Sequence, residues 1–394
     1  MAGLDALSDA RRAQRRDGPT GAGAGQGDRS RGAYAALLTL SAVDAAGYSV
    51  IAPVLPEIAA ATGAGPTVIG ALVALFPAGM ILGFVAAGGA VRRQRLAALA
   101  LAALALMGLG ALGFVLGDGL PVYAAARFVG GTGSGCLWLS IVFSTLERWP
   151  RQAYHCMSRV FAGYSVGGLI GPALGGLGGV RSPFAAYLVL VVAGAAAVTA
   201  LVPRSRRQRF HPDRAALRLP AFRLAAAGIL FAVLVLGVIE GVLPLHLSTA
   251  LSQGQIGLLY AAMSAVVAAA AAAAGRYPPL AMLAAGTVLA CVGLALTGAA
   301  TAVALWIPGL AVAGAGVGIA NTGSIGVLLD AVDTERIVTA MVVWSQFGIA
   351  GYLVGPVVSG PVVQHLGFAA LGIVPATAAL AVGAAWLMTT AKDG

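Results

Sequence analysis

Residues 167–176 read GGLIGPALGG, and residues 351–360 read GYLVGPVVSG. Both fit one frame, G-x-x-x-G-P-x-x-[GS]-G, in which small residues recur every four positions and a proline interrupts the run. Glycines at that spacing share one face of a helix and let a second helix approach closely. The proline removes a backbone hydrogen bond and permits a bend. Other stretches repeat in the same order. Val54-Leu55-Pro56, followed by Ile69-Gly70, returns as Val242-Leu243-Pro244, followed by Ile256-Gly257. Gly131-x-Gly133-x-Gly135 returns as Gly314-x-Gly316-x-Gly318. In a chain with 56 glycines one such match decides little, but three in order, separated by 183 to 188 residues, mark an internal duplication.

Composition sets the solvent. Of the 394 residues, 59% are hydrophobic and 10% charged. Soluble domains carry about 25% charged residues, so this chain cannot cover a water-facing surface. Its apolar residues come in runs of about 20, the length of a membrane-crossing helix, and not in the short alternating segments of a membrane β-barrel. The expected spans are 33–55, 66–90, 95–117, 120–146, 155–179, 183–202, 221–247, 253–275, 278–299, 303–329, 335–363 and 367–390. The expected fold is all-α: twelve transmembrane helices in two pseudo-symmetric six-helix bundles, 33–202 and 221–394. Residues 1–32 read as a polar, disordered tail, and 203–220 as a basic linker. The third and ninth segments, rich in Ala and Leu, suit lipid-facing positions.

Basic residues are retained on the cytoplasmic side of membrane proteins. They fall in the tail (Arg11, Arg12, Arg15, Arg16, Arg29, Arg31), after the second segment (Arg92, Arg93, Arg95), after the fourth (Arg148, Arg151, Arg159) and in the middle loop from Arg204 to Arg218. The opposite loops contribute Arg181. Both termini are therefore expected in the cytoplasm, and the formal charge of +10 reflects topology, not nucleic-acid binding. No h-region of a cleavable signal peptide is visible in the first 32 residues. Cys136, Cys156 and Cys291 suggest no disulfide framework.

Taken together, these motifs resemble the major facilitator superfamily, and within it the twelve-helix proton-coupled drug antiporters. The resemblance spans about residues 33 to 390. Gly167, Gly171, Pro172, Gly175 and Gly176 match that group's helix-5 antiporter motif at every defined position, and Gly351, Gly355, Pro356 and Gly360 form its C-terminal repeat. Arg127-x-x-x-Gly131-x-Gly133 resembles the helix-4 motif that opens with Arg. Asp44, nine residues before Pro53-x-x-Pro56, is similar to helix 1 of the vesicular amine transporters and bacterial drug exporters. The resemblance implies a fold in which helices 1, 4, 7 and 10 line a central cavity and helices 5 and 11 meet the opposite half. The chain departs from the family after the second helix: the family's usual G-x-L-A-D-R-x-G-R is here Gly88-Gly89-Ala90-Val91-Arg92-Arg93-Gln94-Arg95, with Arg92 in place of the acidic residue that helps latch the cytoplasmic gate.

Three charged residues fall well inside the spans: Asp44, Arg127 and Glu240. Each costs about 2.5–3.5 kcal/mol near a helix centre on insertion scales. None is duplicated, since Asp44 meets Ala232 and Arg127 meets Leu310 in the repeat. A carboxylate in a low-dielectric cavity can exchange a proton for a cation, which is the chemistry of antiport. Arg127 stays charged at any depth and suits either proton transfer or an anionic substrate group; the alternatives are a structural ion pair of Asp44 with Arg127, and for Arg127 a helix-packing role paired with a backbone carbonyl. Glu240 reads equally as a second proton site or substrate contact and as a side chain reaching the water interface. Tyr48, one turn after Asp44, and Asn321, Trp344, Ser345 and Gln346 are candidate cavity groups, with helix-packing roles as the alternative. The stripe Gly163, Gly167, Gly171, Gly175 is a candidate sliding surface between halves or a static packing face.

No phosphate-binding G-x-x-x-x-G-K-[ST] loop is present; Lys392 is the lone lysine. The scattered His155, His211, His246 and His365 have no metal-ligand spacing. The expectation is a non-enzymatic secondary active exporter without cofactor or metal, a monomer in the plasma (inner) membrane, surrounded by lipid, with protons and a small amphiphilic drug-like or natural-product molecule as partners and no nucleic acid. The alternatives are a metabolite uptake or facilitated-diffusion carrier and a non-transporting receptor or scaffold.

Overall fold

A computed structural model describes residues 24–93, 95–149, 153–199, 215–332, 337–377 and 379. Among these there is no β-strand. The long helices are α1 (Ala24–Ser49), α2 (Pro66–Arg92), α3 (Leu96–Leu116), α4 (Leu120–Arg148), α5 (Ala153–Gly175) and α6 (Arg181–Val198), then α7 (Pro220–Gly241), α8 (Gln253–Ala274), α9 (Pro279–Ala299), α10 (Val303–Ala331) and α11 (Ile337–Leu366). Ten helical segments among the described residues are long and apolar enough to cross a membrane. The gap in that set is α5, 23 residues with five glycines. The twelfth expected segment begins with the short apolar helix Phe368–Thr377, and its remainder lies outside the described residues. So do residues 1–23 of the tail and most of the linker. The tail is shorter than expected, because α1 begins at Ala24: the helix runs back through Gly32 instead of starting with the apolar run.

Each repeated motif has the same structural task in both halves. The Val-Leu-Pro stretches mark helix breaks. A 3-10 turn at Ala52–Val54 and a short helix Leu55–Thr62 follow α1, and a short helix Leu243–Leu247 follows α7. Prolines account for the breaks, since a proline inside a helix leaves a carbonyl without its donor. The Gly-x-Gly-x-Gly motif wedges α4 between neighbours. A Cβ at Gly131 or Gly135 would run into the backbone of Phe76 or Met80 on α2, and one at Gly133 into Ala103 and Met107 on α3. In the second half, Gly314 and Gly318 face Met263 and Val267 on α8, and Gly316 faces Gly286 and Ala290 on α9.

The glycine stripe of α5 is a correction to the sequence reading. Gly163, Gly167 and Gly171 face Leu38, Ala42 and Ala46 of α1, and Gly175 faces Val50 just beyond it, all in their own half. Gly351 and Gly355 likewise face Leu230, Leu234 and Val238 of α7. The stripe is a packing face within each bundle and not a sliding surface between them. The seam lies one residue along and about 100° around the helix. There Pro172 and Gly176 meet Gly257 and Gly254 of α8, while Pro356 and Gly360 meet Gly70, Pro66 and Thr67 of α2. The two halves thus exchange motifs: the Ile-Gly of one packs against the Gly-Pro of the other.

Two glutamines tie this end of the seam. The side chain of Gln253, at the start of α8, donates to the carbonyls of Gly175 at 2.7 Å and Gly179 at 2.9 Å. These carbonyls lie at the end of α5, where a helix leaves acceptors unsatisfied. Gly178 and Gly179 carry φ of 97° and 66°, a turn that favours glycine. Across the pseudo-symmetric contact the Thr67 N–H, at the start of α2, donates to Gln364 Oε1 at 3.2 Å. Exposed apolar side chains occur on α3 (Leu109, Leu116), α6 (Val189, Val192) and α9 (Val288, Val292), and also on α2 (Val85), α8 (Leu258), α10 (Ile307) and α11 (Val357).

Gly167→Val should lower stability by about 1–3 kcal/mol through overpacking against α1, whereas Gly168→Ala, with open space around its Cβ, should leave thermal unfolding in detergent unchanged. The paired Gln253→Ala and Gln364→Ala substitution should loosen the seam. In a cysteine-free background Ala52→Cys, at a fully buried position, should then react with a water-soluble thiol reagent several-fold faster; an unchanged rate would remove the glutamines from the seam's closure.

Candidate functional site

The last turn of α1 organises the site. Asp44 is 1% exposed, and neither carboxylate oxygen has a hydrogen-bond partner, although Ser134 of α4 lies beside it. One turn on, Tyr48 is also buried, with its hydroxyl unpartnered. Its ring packs on Phe76 of α2 at 5.5 Å between centroids and, across the seam, on Tyr352 of α11 at 4.1 Å. Met80 and Ile349 complete this apolar layer between the halves.

Arg127 reaches α1 from α4 and is 2% exposed. Its Nη1 donates at 3.5 Å to the carbonyls of Gly47 and Tyr48, which belong to the final turn of α1, where acceptors and the negative end of the helix dipole gather. The guanidinium lies 4.4 Å from the Phe76 ring centroid and 5.7 Å from that of Tyr48, within cation–π range. Its Nε and Nη2 have no acceptor, and it pairs with neither buried carboxylate. The bland reading of an Asp44–Arg127 ion pair is therefore not what the structure adopts.

Glu240 is the second-last residue of α7 and is 7% exposed, so it does not reach up to a water interface. Its Oε2 lacks a partner. Gly237 and Gly241 set α7 close against Tyr352 and Pro356 of α11, and the Tyr260 hydroxyl of α8 donates to the Ile239 carbonyl at 2.5 Å, fixing the end of the helix. Tyr164 of α5 interacts electrostatically with both Asp44 and Glu240, and Arg127 interacts with Glu240 at a separation beyond an ion pair. The two carboxylates and the guanidinium thus lie in one buried region where the halves meet, walled by tyrosines.

The other candidates separate from this cluster. Trp344 is committed to the C-terminal core: its indole N–H donates to Ser324 Oγ at 2.9 Å, and Ser324 donates to the Ala225 carbonyl at 2.6 Å, linking α11, α10 and α7. An indole satisfied in this way is a packing group, which favours the helix-packing alternative over the cavity role. Asn321 is exposed, Gln346 half-buried, and Ser345 bonds back to the Val342 carbonyl. His246 stacks on Phe368 and contacts Trp306 away from the charges. Tyr164 and Tyr352 were missed. The signal was available: in the repeat they stand opposite Gly348 and Gly168, large aromatics against glycine. Among the described residues no group of three His, Cys, Asp or Glu could hold a metal ion.

The chain's relatives fit this architecture. The family described as Major Facilitator Superfamily matches residues 37–276, more than half of the chain. No curated protein sequence matches. The fold is similar to a bacterial homolog to the human lysosomal transporter Spinster in its inward-facing, unoccupied conformation, with a TM-score of 0.65, 15% identity, and coverage of 84% of this chain and 82% of that one. It is similar to the nucleoside transporter NupG, with a TM-score of 0.67, 13% identity, and coverage of 90% and 98%. It is similar to the human organic anion transporter MFSD10 (TETRAN), with a TM-score of 0.59, 17% identity, and coverage of 88% and 99%. At these identities the likeness shows the fold alone. With its duplicated six-helix design and the family match over most of the first half and into the second, this multi-pass membrane chain belongs to the Major Facilitator Superfamily of transporters.

Proposed function

We propose that this transporter is a proton-coupled antiporter that exports a small amphiphilic, cationic or neutral molecule by alternating access. One observation carries the reading: Asp44 is buried in the membrane-spanning core with neither carboxylate oxygen hydrogen-bonded. A carboxylate kept from water without a partner is held at a cost of several kcal/mol, and it is relieved either by a proton or by a cationic ligand. The two cannot occupy it together, so each displaces the other, which is the exchange that antiport requires. Glu240 offers a second carboxylate in the opposite half. The resemblance of Gly167–Gly176 to the helix-5 antiporter motif supports export over uptake. The basic loops support cytoplasmic termini and a plasma-membrane location, with the carrier working as a monomer.

A second reading has one observation in its favour. The unpartnered Nε and Nη2 of Arg127 suit an anionic substrate group, and a similar structure is that of an organic anion transporter.

The test uses everted vesicles acidified by respiration, with a pH-sensitive dye and a panel of amphiphilic cations, neutral antibiotics and organic anions. Antiport predicts substrate-triggered proton release that Asp44→Asn abolishes. Release of equal size in Asp44→Asn would take Asp44 out of the mechanism, and a response confined to anions would favour the second reading.

A further inference from the structure

Within the N-terminal half, against α1 and reaching Phe76 of the layer between the halves, lies a cavity of about 20 Å³. Its lining includes Gly47 of α1, Met107 and Phe114 of α3, Arg127 of α4, and Phe184 and Tyr187 of α6. The volume excludes any organic substrate. A single water needs at least about 10–15 Å³ measured this way, together with two to four polar partners. The walls are apolar except at Arg127, Tyr187 and the backbone of Gly47. Arg127 brings two nitrogens whose N–H groups find no protein acceptor. Tyr187 donates its proton to the Val43 carbonyl at 3.2 Å, which leaves its oxygen free to accept. A residue with two nitrogens that lack acceptors and a residue whose oxygen is free to accept are therefore both among those that line one water-sized space.

We infer that this cavity is a one-water site in which the water accepts from Arg127 and donates to Tyr187, and that this hydration lets the guanidinium stay charged without turning to Asp44. The second half of the inference rests on the antiporter reading above; the first half does not. Burying guanidinium N–H groups without acceptors costs several kcal/mol, and a charge in this position seeks the nearest anion unless other acceptors serve it. The Phe76 ring and the weak Nη1 contacts to α1 satisfy one side of Arg127. The water serves the remainder. Asp44 is then left open to a proton or a substrate. Gly47 keeps the space clear: a Cβ there would collide with the Tyr187 hydroxyl and approach Met107 to 3.3 Å. Tyr187 is on this account a positioning residue that acts through Arg127, not a substrate contact.

Hydroxyl-radical footprinting by X-ray irradiation of the full-length purified protein reads bound water directly, because radicals formed from a trapped water oxidise the side chains around it. Met107 is 2% exposed and lines the cavity; Met263 is 3% exposed in the other half and does not. Met107 should oxidise several-fold faster than Met263, and both Gly47→Ala and the milder Tyr187→Phe should abolish the excess. Equal rates in the unmodified protein would mean a dry cavity and overturn the site. An excess that survives in both variants would place the water elsewhere and overturn it too. Replacing chloride by gluconate should change nothing; a changed Met107 rate would make the site one for an anion. In the vesicle assay Tyr187→Phe should weaken substrate-triggered proton release several-fold, with substrate affinity unchanged. An equal loss of affinity would make Tyr187 a substrate contact and overturn its positioning role. Because footprinting requires no transport, a protein that proves not to be an antiporter would still give a clear answer on the water.

Discussion

The structure depends on backbone lying against backbone. In a membrane, helices gain little from burying apolar side chains, since lipid is as apolar as leucine; close van der Waals approach supplies the attraction instead. Here the approach is made by glycine. Gly167 of α5 has the backbone of Ala42 where a Cβ would stand, Gly131 of α4 has that of Phe76, and Gly355 of α11 has that of Leu234. These contacts bring α1, α4 and α5 near enough for short polar reaches across the bundle. Arg127 can touch the carbonyls of Gly47 and Tyr48 because α4 is drawn in by its own glycines.

The same constraint explains how one helix can serve two purposes. The i, i+4 face of α5, with no side chains to displace, is locked onto α1 and has no freedom left. The adjoining Pro172 and Gly176 present a different surface to α8, where contact is made by a few small groups and by a glutamine side chain. Packing within a bundle is made by glycine against backbone, while packing between bundles adds the Gly-Pro and Ile-Gly contacts, the glutamine caps and the aromatic layer of Tyr48 and Tyr352. A rigid half moving against a rigid half requires that division.

Much of this was legible in residue order. The twelve apolar runs, the duplication and the breaks at Val-Leu-Pro follow from length, period and proline chemistry, which act locally. The three buried charges were legible for the same reason, since an ionised side chain in an apolar run is conspicuous. What could not be read was azimuth. A glycine stripe reveals that something approaches closely but not which helix does, so a sliding surface and a static packing face stayed equally open until α1 was seen against it. Trp344 illustrates a similar gap: its destination depended on whether Ser324, twenty residues away on another helix, was placed to accept from it. The cavity beside Arg127 was invisible altogether, because it arises where five helices fail to fill a space and no single segment encodes it.

Symmetry in this chain belongs to the scaffold, and the chemistry is where symmetry fails. Val-Leu-Pro, Ile-Gly, Gly-x-Gly-x-Gly and the Gly-Pro motif each appear twice and do the same mechanical work in both halves. Asp44, Arg127, Tyr164 and Tyr352 each appear once, opposite Ala232, Leu310, Gly348 and Gly168. Two equivalent halves can rock between two equivalent states, but with identical linings neither state would distinguish one membrane face from the other. A direction needs a difference, and on the function proposed above the buried charges and the tyrosines that wall them supply it. Their cost is tolerable because the duplicated glycine packing holds the helices together without them. The scaffold is therefore free to repeat and the site is free to diverge, which is how a single six-helix design, used twice, yields a carrier with an inside and an outside.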